Sequence, residues 1–523
     1  MFRAYLREVS SPVQRQSFVI SMSAFFAGVL LISLIGILLL ILFRGSAYFW
    51  PAPVYLVEYQ NEKSHTQHVY AQVRMQYEES GEPVWWVKYS NQTHPYSRQT
   101  LVDEKSLRSR VKSARAAVID LKDGRTILAE PVALNEPNSG EAALGAFDSL
   151  KEQVGVLSTR IEALRSEYLA PIHEELAELD VRGVDAKAPA RVKLNTSFRQ
   201  WQQKVHLLEQ ERAMFTLVVK FADGEPYQIP LNDIYSVVAT GALSTGEKWL
   251  QAGAKVWRFM SESPKQANTA GGVFPALFGT ILMVLMMTLM VTPFGVLAAV
   301  YLNEYAPDNT FTTVIRISVS NMAAVPSIVY GVFGLGFFIY TVGGNLDALF
   351  FSEYLPAPTL GTPGLFWASL TMAILTLPVV IVATEEGLRR VPEGLKAGSY
   401  ALGATKSETV LYTILPIASP GIMTGIILAI ARAAGEVAPL MLVGAVKFAP
   451  ALPVDGTFPY LHLDRQFMHL GVLIYDGAFH SQTDAKGSSM MFAACMLLLI
   501  VVFILNILAV VLRARLRQRY LRG

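Results

Sequence analysis

Arg432 and Glu436 stand four residues apart in IARAAGEVAPLML, a stretch with no other charge. In a helix that spacing puts both on one face. A charge near the centre of a bilayer costs at least ~2.5–3.5 kcal/mol, so the pair must face a bundle interior or a water-filled path. A planar guanidinium offers directional donors that match the oxygens of a small oxyanion two at a time, and it does not by itself choose among tetrahedral anions. Glu436 would hold Arg432 when no anion is present, keeping binding weak enough for release. The competing reading is an ion pair that only ties two helices together.

Other chemistry is scarce. His462, His469 and His480 are dispersed without metal-ligand spacing, so no metal is expected. The single cysteine, Cys495, excludes an internal disulfide and a cysteine-pair zinc site. No Gly-x-x-x-x-Gly-Lys-Ser/Thr run and no Gly-Lys dipeptide occurs, so the chain does not cradle ATP phosphates by that means, and no cofactor is expected in it. A net charge of +2 gives nucleic-acid binding no support.

The elements that must position Arg432 follow from composition. The chain of 523 residues is 52% hydrophobic and 16% charged, and Phe18 to Phe43 contains no ionisable side chain. That run exceeds the roughly 20 apolar residues that cross a bilayer, and it leads into Tyr48-Phe49-Trp50, so it reads as a retained anchor. Further runs occur at Ala270–Leu302, Ile317–Leu346, Tyr354–Thr384, Thr409–Ile430 and Gly487–Leu512. Six spans result, an even number. Arg3, Arg7 and Arg15 at the start, and Arg513, Arg515, Arg517, Arg519 and Arg522 at the end, then place both termini inside, in the cytoplasm. Arg316, near the start of the third run, reads as an interfacial snorkelling side chain. Pro275, Pro293, Pro326, Pro378 and Pro420 lie in or beside spans and favour kinks or breaks.

Residues 51–269 are too polar for membrane and fall outside it. Val54 to Leu101 holds aromatic and β-branched strand-length runs, and Asp123-Gly124 and Asp223-Gly224 each sit between two strand-like runs, as in hairpins. Between them Leu150, Val154, Leu157, Ile161, Leu164 and Tyr168, then Phe198, Trp201, Val205, Leu208, Arg212 and Phe215, step by threes and fours. This predicts an antiparallel helical hairpin over about 145–215, inserted into a β domain. No Ser/His/Asp or metal-ligand cluster marks it, so packing and spacing surface is the expectation.

Thr384 to Gly421 (TEEGLRRVPEGLKAGSYALGATKSETVLYTILPIASPG) is charged and amphipathic, and falls inside. It predicts a short helix beneath the membrane with Leu395, Tyr400 and Leu402 available to a partner's groove and Gly403 permitting a sharp turn. Ala397 to Pro416 resembles the EAA loop of ABC importer permeases, matching at Gly403, Leu415 and Pro416, with a turn expected at Leu415-Pro416 before the span that carries Arg432; Ala397, Gly398 and Ser399 stand where glutamate and two alanines are usual. GGVFPALFGTILMVL, PFGVLAAVYLNEYA, VPSIVYGVFGLG, TLPVVIVATEEGLRRVP and IARAAGEVAPLML resemble the PstA-type phosphate branch of that family, over roughly Gly271 to Gly523. Arg432, Gly435 and Glu436 match its ARAxGE motif, which the resemblance assigns to the transport route, with Val437 in place of threonine.

The resemblance implies an α-helical membrane protein with six transmembrane helices of the ABC importer permease type. With the pattern of the outer segment, which the family's common short form lacks, three regions are expected: residues 1–50 as the N-terminus and first helix, 51–269 as a periplasmic α+β domain with its helical hairpin, and 270–523 as the permease with a coupling loop at about 384–418. The implied partners are a second permease (PstC), an ATPase dimer (PstB) that binds ATP and magnesium, and a periplasmic phosphate-binding protein (PstS), with phosphate as cargo in a bacterial inner membrane. Sulfate or molybdate as cargo, or a membrane scaffold or sensor without transport, are the alternatives.

Overall fold

The computed structural model describes residues 12–60, 66–77, 83–103, 107–136, 140–142, 144–185, 187–265, 270–354, 356–480 and 485–522. Arg3 and Arg7 lie outside these residues, as do the side chains of Arg15, Arg513, Arg517, Arg519 and Arg522. The chain divides into two units: residues 1–49 with 256–523, and residues 50–255. The boundary falls inside a helix, short of the 51–269 expected.

The first element, α1 (Pro12–Phe49), is a single long helix. Beyond it, in the 50–255 unit, β1 (Tyr55–Gln60), β2 (Thr66–Tyr77), β3 (Pro83–Ser90), β4 (Arg98–Asp103) and β5 (Leu107–Lys112) form an antiparallel sheet in the order β4-β3-β2-β1-β5. A second sheet holds β6 (Ala117–Leu121), β7 (Thr126–Glu136), β8 (Gly140–Ala142), β9 (Thr216–Lys220), β10 (Pro226–Pro230) and β11 (Ile234–Val238), in the order β10-β9-β7-β6-β11 with β8 on β7. Both Asp-Gly pairs turn hairpins of this one sheet. Gly124 and Gly224 have φ of +90° and +105°, the left-handed conformation that ends a three-residue hairpin loop. Pro131 cannot donate to the ladder, and the β7–β9 register shifts between Pro131 and Ala133 to accommodate it.

The helical hairpin enters after β8 and returns at β9. It comprises α2 (Phe147–Leu164), a wide turn Arg165–Leu169, α3 (Ala170–Val181) and α4 (Pro189–Met214). Pro171 has no amide hydrogen to continue the helical ladder, which accounts for the wide turn just before it. Leu150 and Val154 pack on the sheet core of Ile119, Ile127, Leu134 and Leu217. Farther out, Tyr168 stacks on Trp201 with centroids 3.9 Å apart. The next helix, α5 (Thr245–Ser261), crosses the unit boundary.

The remaining unit contains α6 (Phe274–Val300), α7 (Thr310–Met322), α8 (Ser327–Phe333), α9 (Gly344–Phe350), α10 (Leu365–Arg389), α11 (Glu393–Ala401), α12 (Lys406–Thr409), α13 (Leu415–Gly435), α14 (Leu440–Val443), α15 (Leu470–His480) and α16 (Ala485–Arg522). Six helical segments among the described residues are long and apolar enough to span a membrane: Gln16–Phe49, Phe274–Tyr305, Ser327–Phe350, Leu365–Arg389, Lys406–Gly435 and Met490–Val511. The third differs from the Ile317–Leu346 expected, because the chain breaks between Met322 and Ser327. Pro326 disfavours helical geometry at Val325 and starts α8 afresh. The fourth begins at Leu365 because residues 356–364 are loop, rich in proline and glycine. Pro293, Pro378 and Pro420 lie inside uninterrupted helices, and Pro275 sits in a first turn.

α10 is the central span, with 67% of its most apolar window buried, whereas none of the corresponding window of α1 is. Small residues let its neighbours approach, the usual device where lipid supplies no hydrophobic force between helices. A Cβ on Gly421 of α13 would lie 2.5 Å from Gly387 Cα, and one on Gly295 of α6 would lie 2.6 Å from Val380 Cγ1. α1 meets α16 the same way, a Cβ on Gly45 falling 2.9 Å from the Phe492 carbonyl oxygen. Gly279 is the tightest of these against backbone: its Cβ would sit 2.2 Å from the Met468 oxygen, beside the bond from Leu470 N–H to Thr280 Oγ1. Gly279→Ala should therefore lower the thermal midpoint of the purified protein by several degrees, reflecting about 1–3 kcal/mol of overpacking. Gly336→Ala, which meets open space, should leave it unchanged.

Candidate functional site

Arg432 lies in the last turn of α13, whose inner face carries Gly425, Ala429, Ala433 and Ala434 against the core. Small side chains bring this end of the helix deep into the bundle. The position favours a cation, because the unpaired carbonyls of a helix C-terminus carry partial negative charge. Glu436 is not on the helix. It is the first residue past it, with extended backbone (φ −78°, ψ 133°), so the shared helical face expected from spacing is replaced by a helix end and its exit strand. The two still pair, Arg432 Nε to Glu436 Oε1 at 3.4 Å, with side chains 30% and 23% exposed. Neither is sealed in the core. Tyr330 of α8 anchors locally by donating to the Met322 carbonyl at 2.8 Å. Gly435 between the paired residues faces open space. Ser369 and Thr371 of the central span are buried with unpartnered hydroxyls, Thr371 against Gly334. The apolar run around them gave no sign of these hydroxyls' placement.

The coupling segment is a short helix, α11, with Leu395, Tyr400 and Leu402 exposed. Gly403 has φ of +89° with nothing within 4 Å of a Cβ, so the turn requires glycine for conformation and not for space. Thr405 and Glu408 then form a reciprocal capping box that starts the next helix. Of the residues that stand in place of the motif's glutamate and alanines, Ala397 and Gly398 are exposed on α11, and Ser399 exchanges a hydrogen bond with Thr409 at 2.9 Å. Leu415 and Pro416 do not make the turn expected of them. They lie in a continuous helix from Lys406, widened at Val410–Ile414 where Pro416 withdraws its donor, and Leu415 packs inward against Val410 and Ile414.

Two ion pairs escaped the sequence reading. Lys396 Nζ of α11 meets Glu304 Oε1, in the last turn of the second span, at 2.9 Å with side chains only 12% and 7% exposed. Burial alone would lower the Lys396 ammonium, but hydrogen bonds to Glu304 and Glu393 outweigh it and raise it above its ordinary value. Arg316 is more than a snorkelling side chain: it donates to the Leu302 carbonyl at 2.6 Å and lies 3.7 Å from Glu385, joining α7 to the ends of two spans. A glutamate just past the end of an apolar run was the one signal for either, and it names no partner.

The histidines do not converge. His462 pairs with Asp455 at 3.0 Å, and His480's side chain lies outside the described residues. His469 is buried, accepts the Gly471 N–H on Nδ1, and has an unpartnered Nε2; burial pushes it down to about 4. Among the described residues no cluster of three or more His, Cys, Asp or Glu could hold a metal.

Two measurements follow. Breaking a buried pair by removing one partner costs about 3–5 kcal/mol. Lys396→Met should thus release α11 and speed amide exchange over 393–401, with Glu304→Leu added to it restoring part of the protection. Neutral, buried His469 contributes stability that is complete above the unfolded value of about 6.5 and lost as pH falls toward 4, because the unfolded chain takes up the proton first. The thermal midpoint should drop across that window, and His469→Gln should flatten the slope.

Residues 270–518 match the family described as "Binding-protein-dependent transport system inner membrane component". Phosphate transport system permease protein PstA 1 of Mycobacterium tuberculosis (strain CDC 1551 / Oshkosh) is 34% identical over 244 residues, 47% of this chain and 71% of that protein. The Yersinia pestis protein of the PstA name is 31% identical over 258 residues, 49% of this chain and 77% of its own. Among solved structures, an inward-facing MetNI methionine ABC transporter aligns at 19% identity with a TM-score of 0.34, covering 47% of this chain and 97% of that one. With six candidate spans and relatives of this identity and coverage, the chain belongs to the binding-protein-dependent ABC importer permeases of the inner membrane, in their PstA-type branch.

Proposed function

We propose that this permease carries inorganic phosphate through the membrane by alternating access, with Arg432, Gly435 and Glu436 on the route. The observation that carries the reading is the half-buried Arg432–Glu436 pair, 3.4 Å apart at the inner end of α13, in a chain whose relatives are named phosphate permeases. The guanidinium supplies two parallel donors to the anion's oxygens, and Glu436, on the extended backbone past the helix end, takes them back when the anion leaves. Sulfate and molybdate offer the same oxygen geometry, and the relatives' names favour phosphate over them and over a scaffold or sensor that moves nothing.

In the same reading both termini and the 384–418 segment are cytoplasmic, and the 51–269 region is periplasmic. A second permease (PstC) completes the pore, a PstB dimer binds ATP and magnesium and drives the cycle, and PstS delivers phosphate. Leu395, Tyr400 and Leu402 fill the ATPase groove, and Ala397, Gly398, Ser399 and Gly403 shape the helix and turn that present them. Leu415 and Pro416 transmit the movement into α13, and the Lys396–Glu304 pair ties α11 to the second span.

Uptake of labelled phosphate by the assembled complex in vesicles tests this. The wild type should show ATP-dependent uptake that excess sulfate or molybdate does not suppress. Arg432→Gln, in a complex of normal composition, forfeits charge-assisted hydrogen bonds of roughly 1.5–3 kcal/mol and should lower uptake roughly ten- to hundred-fold. Unchanged uptake would leave the pair a purely structural role.

A further inference from the structure

α5 is built inside out. Ser244 and Glu247 form its capping box, so Thr245–Ser261 is a well-started helix, yet its largest apolar side chains point away from the protein. Trp249, Leu250 and Trp257 are 66%, 75% and 70% exposed, with Val256 and Gly253 on the same stripe. The opposite stripe packs inward: Ala252 and Phe259 are buried, and Lys248 and Lys255, the residues expected to seek water, are half-buried beside them. Soluble proteins hide such a stripe in the core, and none of the described residues covers this one.

The surroundings say what covers it. The N-terminal half of α5 meets the residue that follows the first span, Trp249 lying 5.2 Å edge-on from Trp50. At its other end Phe259 packs on Tyr48 and Phe49, the last residues of that span, at 5.7 and 5.4 Å. The second span begins at Phe274, 13 residues after α5 ends. The C-terminal end of the helix is thus tied to the level where a span leaves the hydrocarbon, and tryptophan and tyrosine concentrate at that level of a bilayer. A helix with one tryptophan- and leucine-rich face and basic residues on the other lies in the plane of the interface.

We propose that α5 is an interfacial helix whose Trp249, Leu250 and Trp257 enter the lipid headgroup region of the leaflet where the first span emerges. It would hold the start of the second span at a fixed depth. The proposal depends only on the chain's spanning a membrane, not on what it transports.

The test uses the full chain, with Cys495→Ala, in phosphatidylethanolamine–phosphatidylglycerol vesicles, carrying one spin label at Leu250→Cys, Trp257→Cys or, as a water-exposed reference on the helical hairpin, Val181→Cys. At positions 250 and 257 collisions with oxygen should exceed those with a water-soluble nickel chelate several-fold, and at 181 the order should reverse. Nickel accessibility at 250 and 257 equal to that at 181 would overturn the proposal, as would a label shielded from both agents, which would mean a protein partner covers the face. In a label-free check, brominated lipid should quench the wild type more than Trp249→Phe/Trp257→Phe; equal quenching would contradict the assignment.

Discussion

A charge inside hydrocarbon must be paired or wetted, and the placement of Arg432 is governed by that requirement. The guanidinium is tolerated because α13 ends there: the helix carbonyls favour a cation, and the chain turns to extended backbone in time to bring Glu436 to 3.4 Å. A longer helix would leave its carboxylate fixed on the same ridge. Placed on exit backbone, it can yield the guanidinium without moving the helix.

That helix end reaches the bundle interior only because the spans cross closely. Gly387 against Gly421, Gly295 against Val380, and the alanine-lined face of α13 allow α6, α10 and α13 to pack almost backbone to backbone. The same spans are tethered at their ends by charge. Lys396–Glu304 holds the coupling helix to the second span, and Arg316 binds both the Leu302 carbonyl and Glu385. α11 is therefore fastened directly to the end of the second span, and one continuous helix leads from Lys406 to the Arg432 turn.

The six apolar runs and the two heptad stretches were legible because each rests on side-chain pattern alone, and the span count, the Asp-Gly hairpins and the positive φ at Gly403 agree with that pattern. Where local backbone chemistry competes with hydropathy, the pattern misled. Pro326 split the third run, the loop before Leu365 shortened the fourth, and Pro416, expected at a turn, was absorbed by a wide helical turn upstream. The spacing of Arg432 and Glu436 was right about their pairing and wrong about its geometry, since nothing in four residues' separation reveals that a helix stops at Gly435. Partners distant in sequence, such as Lys396 and Glu304, 92 residues apart, leave no local trace.

The most direct measurement is an experimental density map of the assembled membrane complex trapped with phosphate. Tetrahedral density within hydrogen-bonding distance of the Arg432 guanidinium, in a cavity continuous with one side of the membrane, is the expected result. Arg432 enclosed by neighbouring chains in dry protein, with the anion elsewhere, would contradict the account.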